Sequence, residues 1–123
     1  MAVGSARPRL VDIVEAIERI QIVADGKTLE QFEEDWQLQW LVVRGLEIVS
    51  EASRHLPADR KERHAEIPWR KVADIGNVLR HKYEVVAPPV IWKLLESDLP
   101  SLERVCRAEK AAVERMAQAP GRE

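Results

Sequence analysis

Residues 36–56 read WQLQWLVVRGLEIVSEASRHL, and the spacing of their apolar members decides the fold. Leu38, Leu41, Val42, Gly45, Leu46, Ile48, Val49, Ala52 and Leu56 recur three, four and seven apart, the period of a helix rather than a strand. Together they cover more of the helix circumference than one neighbour can bury. A helix from Trp36 to His55 with such a face needs partners on two sides, which is the requirement a bundle meets. Pro57 ends it.

Candidate partners flank it in sequence. Upstream, Leu10, Ile13, Val14, Ile17, Ile20 and Ala24 space an amphipathic helix from Arg9 to Ala24, and Asp25-Gly26 supplies its stop. Thr28 and Gln31 have the separation of a capping box, which predicts a short helix from Leu29 towards Asp35. Downstream, PADRKERHAE (57–66) reads as one long polar loop. Pro68 suits a first helical position, with Trp69, Val72, Ile75 and Leu79 spacing a fourth helix that is expected to run through Tyr83. After Pro88-Pro89, Ile91, Leu94, Leu95, Leu102, Val105, Cys106, Val113 and Met116 line a last long segment that Pro100 should kink, or split after Ser97-Asp98. No strand-like alternation, internal repeat or Gly-rich phosphate loop interrupts this pattern. The expectation is a single all-α helical domain over residues 1–123, loose at 1–8 and 119–123.

The chain has 123 residues, enough for one core, and 46% of them are hydrophobic against 33% charged. Net charge is −2, so any nucleic-acid contact must use a local patch. Arg54, Arg60, Lys61, Arg63, Arg70 and Lys71 outnumber Asp59, Glu62 and Glu66 in one stretch, although a solvated loop of mixed charge is the simpler reading. Cys106 is the sole cysteine, which excludes an internal disulfide and a cysteine zinc site, and its apolar face suits a core residue better than a nucleophile. His55 and His64 lack a second ligand at metal spacing and read as surface or loop residues, so no metal and no cofactor are expected. No apolar run has the length of a membrane span, and MAVGSARPRL lacks the apolar core of a secretory signal, which together suggest a cytoplasmic protein. Four of the six aromatic residues are tryptophans, and Trp36 and Trp40 are candidate anchors of a dimer or of the core.

The chemistry concentrates in GNVLRHKYEVV, residues 76–86. On a helix continuing through Tyr83, Asp74, Asn77, Val78 and His81 share one face, so Asn77 or Asp74 could orient the imidazole. Gly76, Arg80 and Tyr83 share another. By spacing alone the cluster is a helix end, where cations offset the negative pole of the helix dipole. Glu51, on the neighbouring helix, reads as an exposed helix-edge carboxylate.

The blocks RLVDIVEAIERI, GLEIVSEASRHLP, IPWRKVADIGNVLRHKY and VIWKLLESDLPSLE, in that order, resemble the HepT-like branch of the HEPN superfamily over nearly the whole chain. The resemblance implies an all-α bundle that forms a homodimer, with a ribonuclease site where two copies meet. It implies RNA, tRNA in particular, as substrate. It also implies a toxin encoded beside an MntA-type nucleotidyltransferase antitoxin that attaches AMP to the motif tyrosine. Asn77, His81 and Tyr83 match the family's Asn, His and Tyr, whereas Gly76 stands where the family has Arg. An arginine there would hold the scissile phosphate; glycine cannot. Arg80 follows one turn later, about 6 Å along the helix, and helical side chains lean towards the N-terminus, so its guanidinium could reach back over Gly76. The sequence ranks loss of activity ahead of this compensation, and on that ranking Gly76→Arg should raise RNA cleavage. Two other readings stand beside the toxin: a non-catalytic dimerisation module regulated through Tyr83, and a plain helical scaffold.

Overall fold

The computed structural model describes residues 2–82 and 87–118, with side chains from Ala6 to His81 and from Ala87 to Gln118. Its helices are α1 (Ala2–Ala24), α2 (Leu29–Glu34), α3 (Trp36–Arg54), α4 (Ala58–Glu62), α5 (Trp69–Lys82), α6 (Pro88–Lys93) and α7 (Leu99–Gln118), and no strand occurs among the described residues. The wide apolar face of α3 is explained by its position. It packs against α1 on one side and α5 on the other, while α1 also packs against α7. Leu10, Ile13, Ile17 and Ile20 of α1 meet Val42, Leu46 and Val49 of α3 and Leu102, Val105, Cys106 and Val113 of α7 in one continuous core. Each such side chain contributes about 1.5–3 kcal/mol by leaving water. Phe32 fills the end of this core against Trp92, with ring centroids 5.1 Å apart.

Local signals set the helix ends. Thr28 Oγ1 accepts from the Gln31 N–H at 3.1 Å while Gln31 Oε1 accepts from the Thr28 N–H at 2.9 Å, so the expected capping box starts α2. Asp35 Oδ1 accepts from the Leu38 N–H at 3.0 Å and starts α3. Gly26 turns the chain after α1 with φ of 72°, a left-handed conformation that glycine adopts without steric cost.

Several expectations need correction. α1 begins at Ala2 rather than Arg9, with Ala6 fully buried, so the segment before Arg9 belongs to the bundle. Pro8 does not break α1. The stretch 57–66 contains a helical turn, α4, instead of one loop, and α5 starts at Trp69 rather than at Pro68. The expected split after Ser97-Asp98, by contrast, is present, with α7 beginning at Leu99, one residue before Pro100. The irregularity falls before it. Leu94–Asp98 forms a π-helical turn in which the Leu99 N–H reaches Leu94 O, five residues back. The segment beyond Gln118 lies outside the described residues. No helix of the described chain is long and apolar enough to cross a membrane.

Candidate active site at the end of α5

The site is built on the seam between α3 and α5. Ser50 of α3, 1% exposed, donates through Oγ to Ala73 O at 2.8 Å and accepts the Gly76 N–H at 2.9 Å. A Cβ at position 76 would sit 3.0 Å from Ser50 Oγ and 3.2 Å from Ser50 Cβ, closer than side chains normally tolerate. The glycine therefore lets two helices approach, which is a structural reason for its presence that spacing did not reveal. The same hypothetical Cβ would lie 3.5 Å from Nη1 of Arg80. The Arg80 guanidinium thus folds back one turn and occupies the region that a side chain at 76 would enter.

Arg80 is exposed, and so are Asn77 and His81. His81 follows Arg80 directly near the end of α5, so a cation and an imidazole stand together in solvent reach. Among the described residues no hydrogen bond joins Asn77 or Asp74 to His81. Tyr83 lies outside the described residues.

Arg80 also borders a groove on the outer surface of α3. Arg9 and Asp12 of α1 form one wall, and Arg44, Glu47, Ile48, Glu51 and Ala52 of α3 form its floor. Three cations and three carboxylates meet there. Glu51 Oε2 accepts from His55 Nε2 at 3.0 Å; that bond holds the Glu51 carboxyl below its usual range, and the nearby charges of His55, Arg54 and Arg80 lower it further. Further along the same helix, Trp36 is 59% and Trp40 64% exposed, their rings in an edge-to-face pair with centroids 5.1 Å apart. Neither is a core residue, which leaves the dimer role open to them. Leu41 is exposed beside them.

A second polar cluster lies away from this groove. Glu109 of α7 accepts from Arg60 Nη1 at 2.9 Å and from His64 Nε2 at 2.8 Å, with Arg60 only 3% exposed. His64, read as a surface or loop residue, does lie in the turn after α4 but is half-buried there against Glu109. Sequence reasoning missed Ser50 and Glu109 alike. The available signal was a polar residue on an otherwise apolar helical face. Cys106 is a fully buried core residue, and burial pushes its thiol up to about 12, away from the thiolate form a nucleophile needs. Among the described residues no group of three or more His, Cys, Asp or Glu side chains is placed to hold a metal ion.

The described residues form an all-α bundle in which an exposed arginine and an exposed histidine, Arg80 and His81, are adjacent on α5. Residues 13–109 match the family model described as Ribonuclease HepT-like, and the chain belongs to that family. It is 42% identical over 99 residues to "Probable ribonuclease HepT" of Thermococcus cleftensis, covering 80% of this chain and 90% of that one. It is 34% identical over 98 residues to "Putative RNase TTE0752" of Caldanaerobacter subterraneus, covering 80% and 88%. No solved structure matches it.

Proposed function

We propose that the chain is an endoribonuclease, the toxin of a two-gene pair, and that Arg80 supplies the phosphate-holding cation that Gly76 lacks. The observation that carries this reading is the position of the Arg80 guanidinium over Gly76, one residue from an exposed His81. It supports placing compensation by Arg80 ahead of loss of activity, the opposite order to the one drawn from the sequence.

The chemistry needs few parts. The 2′-hydroxyl of RNA attacks the adjacent phosphorus, the P–O2′ bond forms and the P–O5′ bond breaks, leaving a 2′,3′-cyclic phosphate and a 5′-hydroxyl. A neutral imidazole takes the 2′-hydroxyl proton, a protonated one delivers a proton to the departing O5′, and a guanidinium stabilises charge on the phosphate oxygens. No metal is required. One chain offers one imidazole at the motif, whereas the reaction uses a base and an acid on opposite sides of phosphorus. A two-fold dimer whose axis passes beside His81 would supply the second imidazole.

The outer face of α3 supports such a dimer. Trp36, Trp40 and Leu41 leave a large apolar area in water, and Arg9, Arg44 and Arg80 balance Asp12, Glu47 and Glu51, so net charge on this face does not oppose contact with a second copy. RNA, tRNA in particular, is the substrate carried over from the family, and Tyr83 is the AMP acceptor for an MntA-type nucleotidyltransferase partner. AMP on Tyr83, three residues from Arg80 in sequence, would add a negative charge and a bulky nucleoside that oppose RNA binding.

The test is cleavage of total RNA and tRNA by the purified protein in chelator, with end-group analysis. The expected result is cyclic phosphate ends from the unaltered chain and none from Arg80→Ala or His81→Ala. Activity in Arg80→Ala equal to the unaltered chain removes the compensation. No cleavage by the unaltered dimer removes the enzyme reading and favours a binding module. A monomeric mass in light scattering removes the shared site, and absence of AMP on the Tyr83 peptide after co-expression with the partner removes the switch.

A further inference from the structure

The basic stretch singled out in the sequence divides into two halves in the structure. Arg60 is buried against Glu109, Arg63 Nη1 lies 3.9 Å from the same carboxylate, and Lys61 Nζ donates to Ser53 O at 3.3 Å. These three cations are committed to holding α4 in place. Arg54, Arg70 and Lys71 are not. With Pro68, Ala73 and Asp74 they line an open cleft between the C-terminal end of α3 and the N-terminal half of α5.

We propose that this cleft is a subsite for the phosphodiester chain of single-stranded RNA, remote from the bond that is cut. The inference rests on the ribonuclease reading above and names how that site holds a longer substrate. Three observations support it. The first is charge: Lys71 is paired with Asp98, which leaves Arg54 and Arg70 facing the single carboxylate of Asp74, in contrast to the groove beside Arg80, where three cations face three carboxylates. Balanced charge suits a second copy of the chain; an excess of cations suits a polyanion.

The second is preorganisation. Arg54 Nε donates to Ala73 O at 3.0 Å, so the guanidinium is held against α5 although the residue is exposed. A fixed guanidinium loses less entropy on gripping a phosphate than a free one. Lys71 is tied to Asp98 at 2.9 Å and contributes less.

The third is continuity with the reacting groups. Arg70, Asp74, Asn77 and His81 succeed one another at helical spacing along α5, and Arg70, Asn77 and His81 are exposed. Arg70 and His81 are eleven residues apart, about 16 Å along the helix axis, a span that a few nucleotides can cross. An RNA strand cut beside His81 therefore has a continuous path along this face to Arg70 and Arg54. The carboxylate of Asp74 interrupts this path and favours a strand that passes with its phosphates towards Arg54.

The experiment measures binding and cutting separately. A labelled single-stranded RNA, 2′-O-methylated so that it cannot be cleaved, is titrated by fluorescence anisotropy at several salt concentrations against the unaltered dimer, Arg70→Ala, Arg70→Glu, Arg70→Lys and Arg54→Ala. Turnover of a dinucleotide substrate, too short to reach the cleft, is measured alongside. The expected result is roughly five- to tenfold weaker RNA binding for Arg70→Ala, more for Arg70→Glu, and recovery in Arg70→Lys. The slope of log affinity on log salt should flatten by about 0.7 for each phosphate that is no longer neutralised, with dinucleotide turnover unchanged. Because Arg54 also bonds to backbone, the Arg70 variants decide the matter if Arg54→Ala loses its fold. Equal binding and equal salt slope in Arg70→Glu overturn the subsite and leave the ribonuclease intact. Absence of RNA binding and cutting in the unaltered dimer overturns both. If ATP binding falls in Arg70→Glu while RNA binding does not, the cleft takes a free nucleotide and the proposal is wrong.

Discussion

Two regions of this bundle hold the same three kinds of side chain and use them in opposite ways. In the first, Arg60, His64 and Glu109 join across more than forty residues of sequence into a cluster that is nearly closed to water. In the second, Arg80 and Glu51 line an open groove while His55 and His81 are exposed, and among the described residues only the Glu51–His55 bond joins any of the four. A buried charge must be paired, because an unpaired one carries a desolvation cost of several kcal/mol. An exposed charge carries no such demand and keeps its capacity for a ligand. The difference teaches that pairing marks the structural cluster and spare capacity marks the chemical one.

The sharpest way to test this contrast is to remove one member of each. Glu109→Gln leaves the Arg60 guanidinium buried without a counter-charge, and Arg60 Nε already lacks a partner among the described atoms. The expected cost is about 3–5 kcal/mol. For a chain of this length that corresponds to a fall in Tm of roughly 10–20 °C, read by calorimetry. His81→Ala should do the reverse, with RNA cleavage lower by about two to four powers of ten and Tm within about 2 °C of the parent. If His81→Ala melts early, or Glu109→Gln stays stable, the division between the two regions is wrong.

A smaller effect is expected at Gly76, where the two roles meet. In an isolated helix Gly→Ala gains up to about 1 kcal/mol. Here the added Cβ meets Ser50 Oγ at 3.0 Å, and that hydroxyl is pinned by its bonds to Ala73 O and to the Gly76 N–H. It has little room to yield, so Gly76→Ala should destabilise by about 1 kcal/mol in urea unfolding. Gly76→Arg should cost more and displace Arg80, lowering cleavage instead of raising it. Higher cleavage in Gly76→Arg would show that position 76, not Arg80, is where the cation belongs.

These contrasts also define what the sequence could convey. Periodicity exposed the apolar faces of α1, α3, α5 and α7, and Thr28 with Gln31 announced the start of α2, because such information is local. The Arg-His pair was legible for the same reason. The Ser50–Gly76 contact joins residues 26 positions apart, and Arg60–Glu109 joins residues 49 apart. No spacing rule within one helix reports either. Hence Arg60 and His64 read as parts of a polar loop, and Gly76 read as a deletion of function before its packing role was visible. Pro100 announced the break after Ser97-Asp98, but not that the turn before it would be π-helical.

The smallest effect expected is in acid, and it separates two glutamate–histidine pairs of nearly equal length. Burial alone would raise the Glu109 carboxyl, but hydrogen bonds from His64 and Arg60 and their charges outweigh it and hold the group below its ordinary value of 4.5. The unfolded chain therefore takes up a proton that the folded chain resists. The stability this confers is complete above the ordinary carboxylate value and is lost as pH falls through the lower value of the folded protein. Glu51 is also lowered, chiefly by His55, but its pair is exposed and screened by salt. Urea midpoints between neutral pH and pH 3, at physiological salt, should decline in the parent and in Glu51→Gln with the same acid slope. Glu109→Gln, less stable throughout, should decline less steeply over that window. If Glu109→Gln follows the parent slope, the buried cluster does not set the acid response. If Glu51→Gln alone flattens it, the exposed pair is the stronger of the two, and the distinction between paired structural charge and available surface charge fails where it should be plainest.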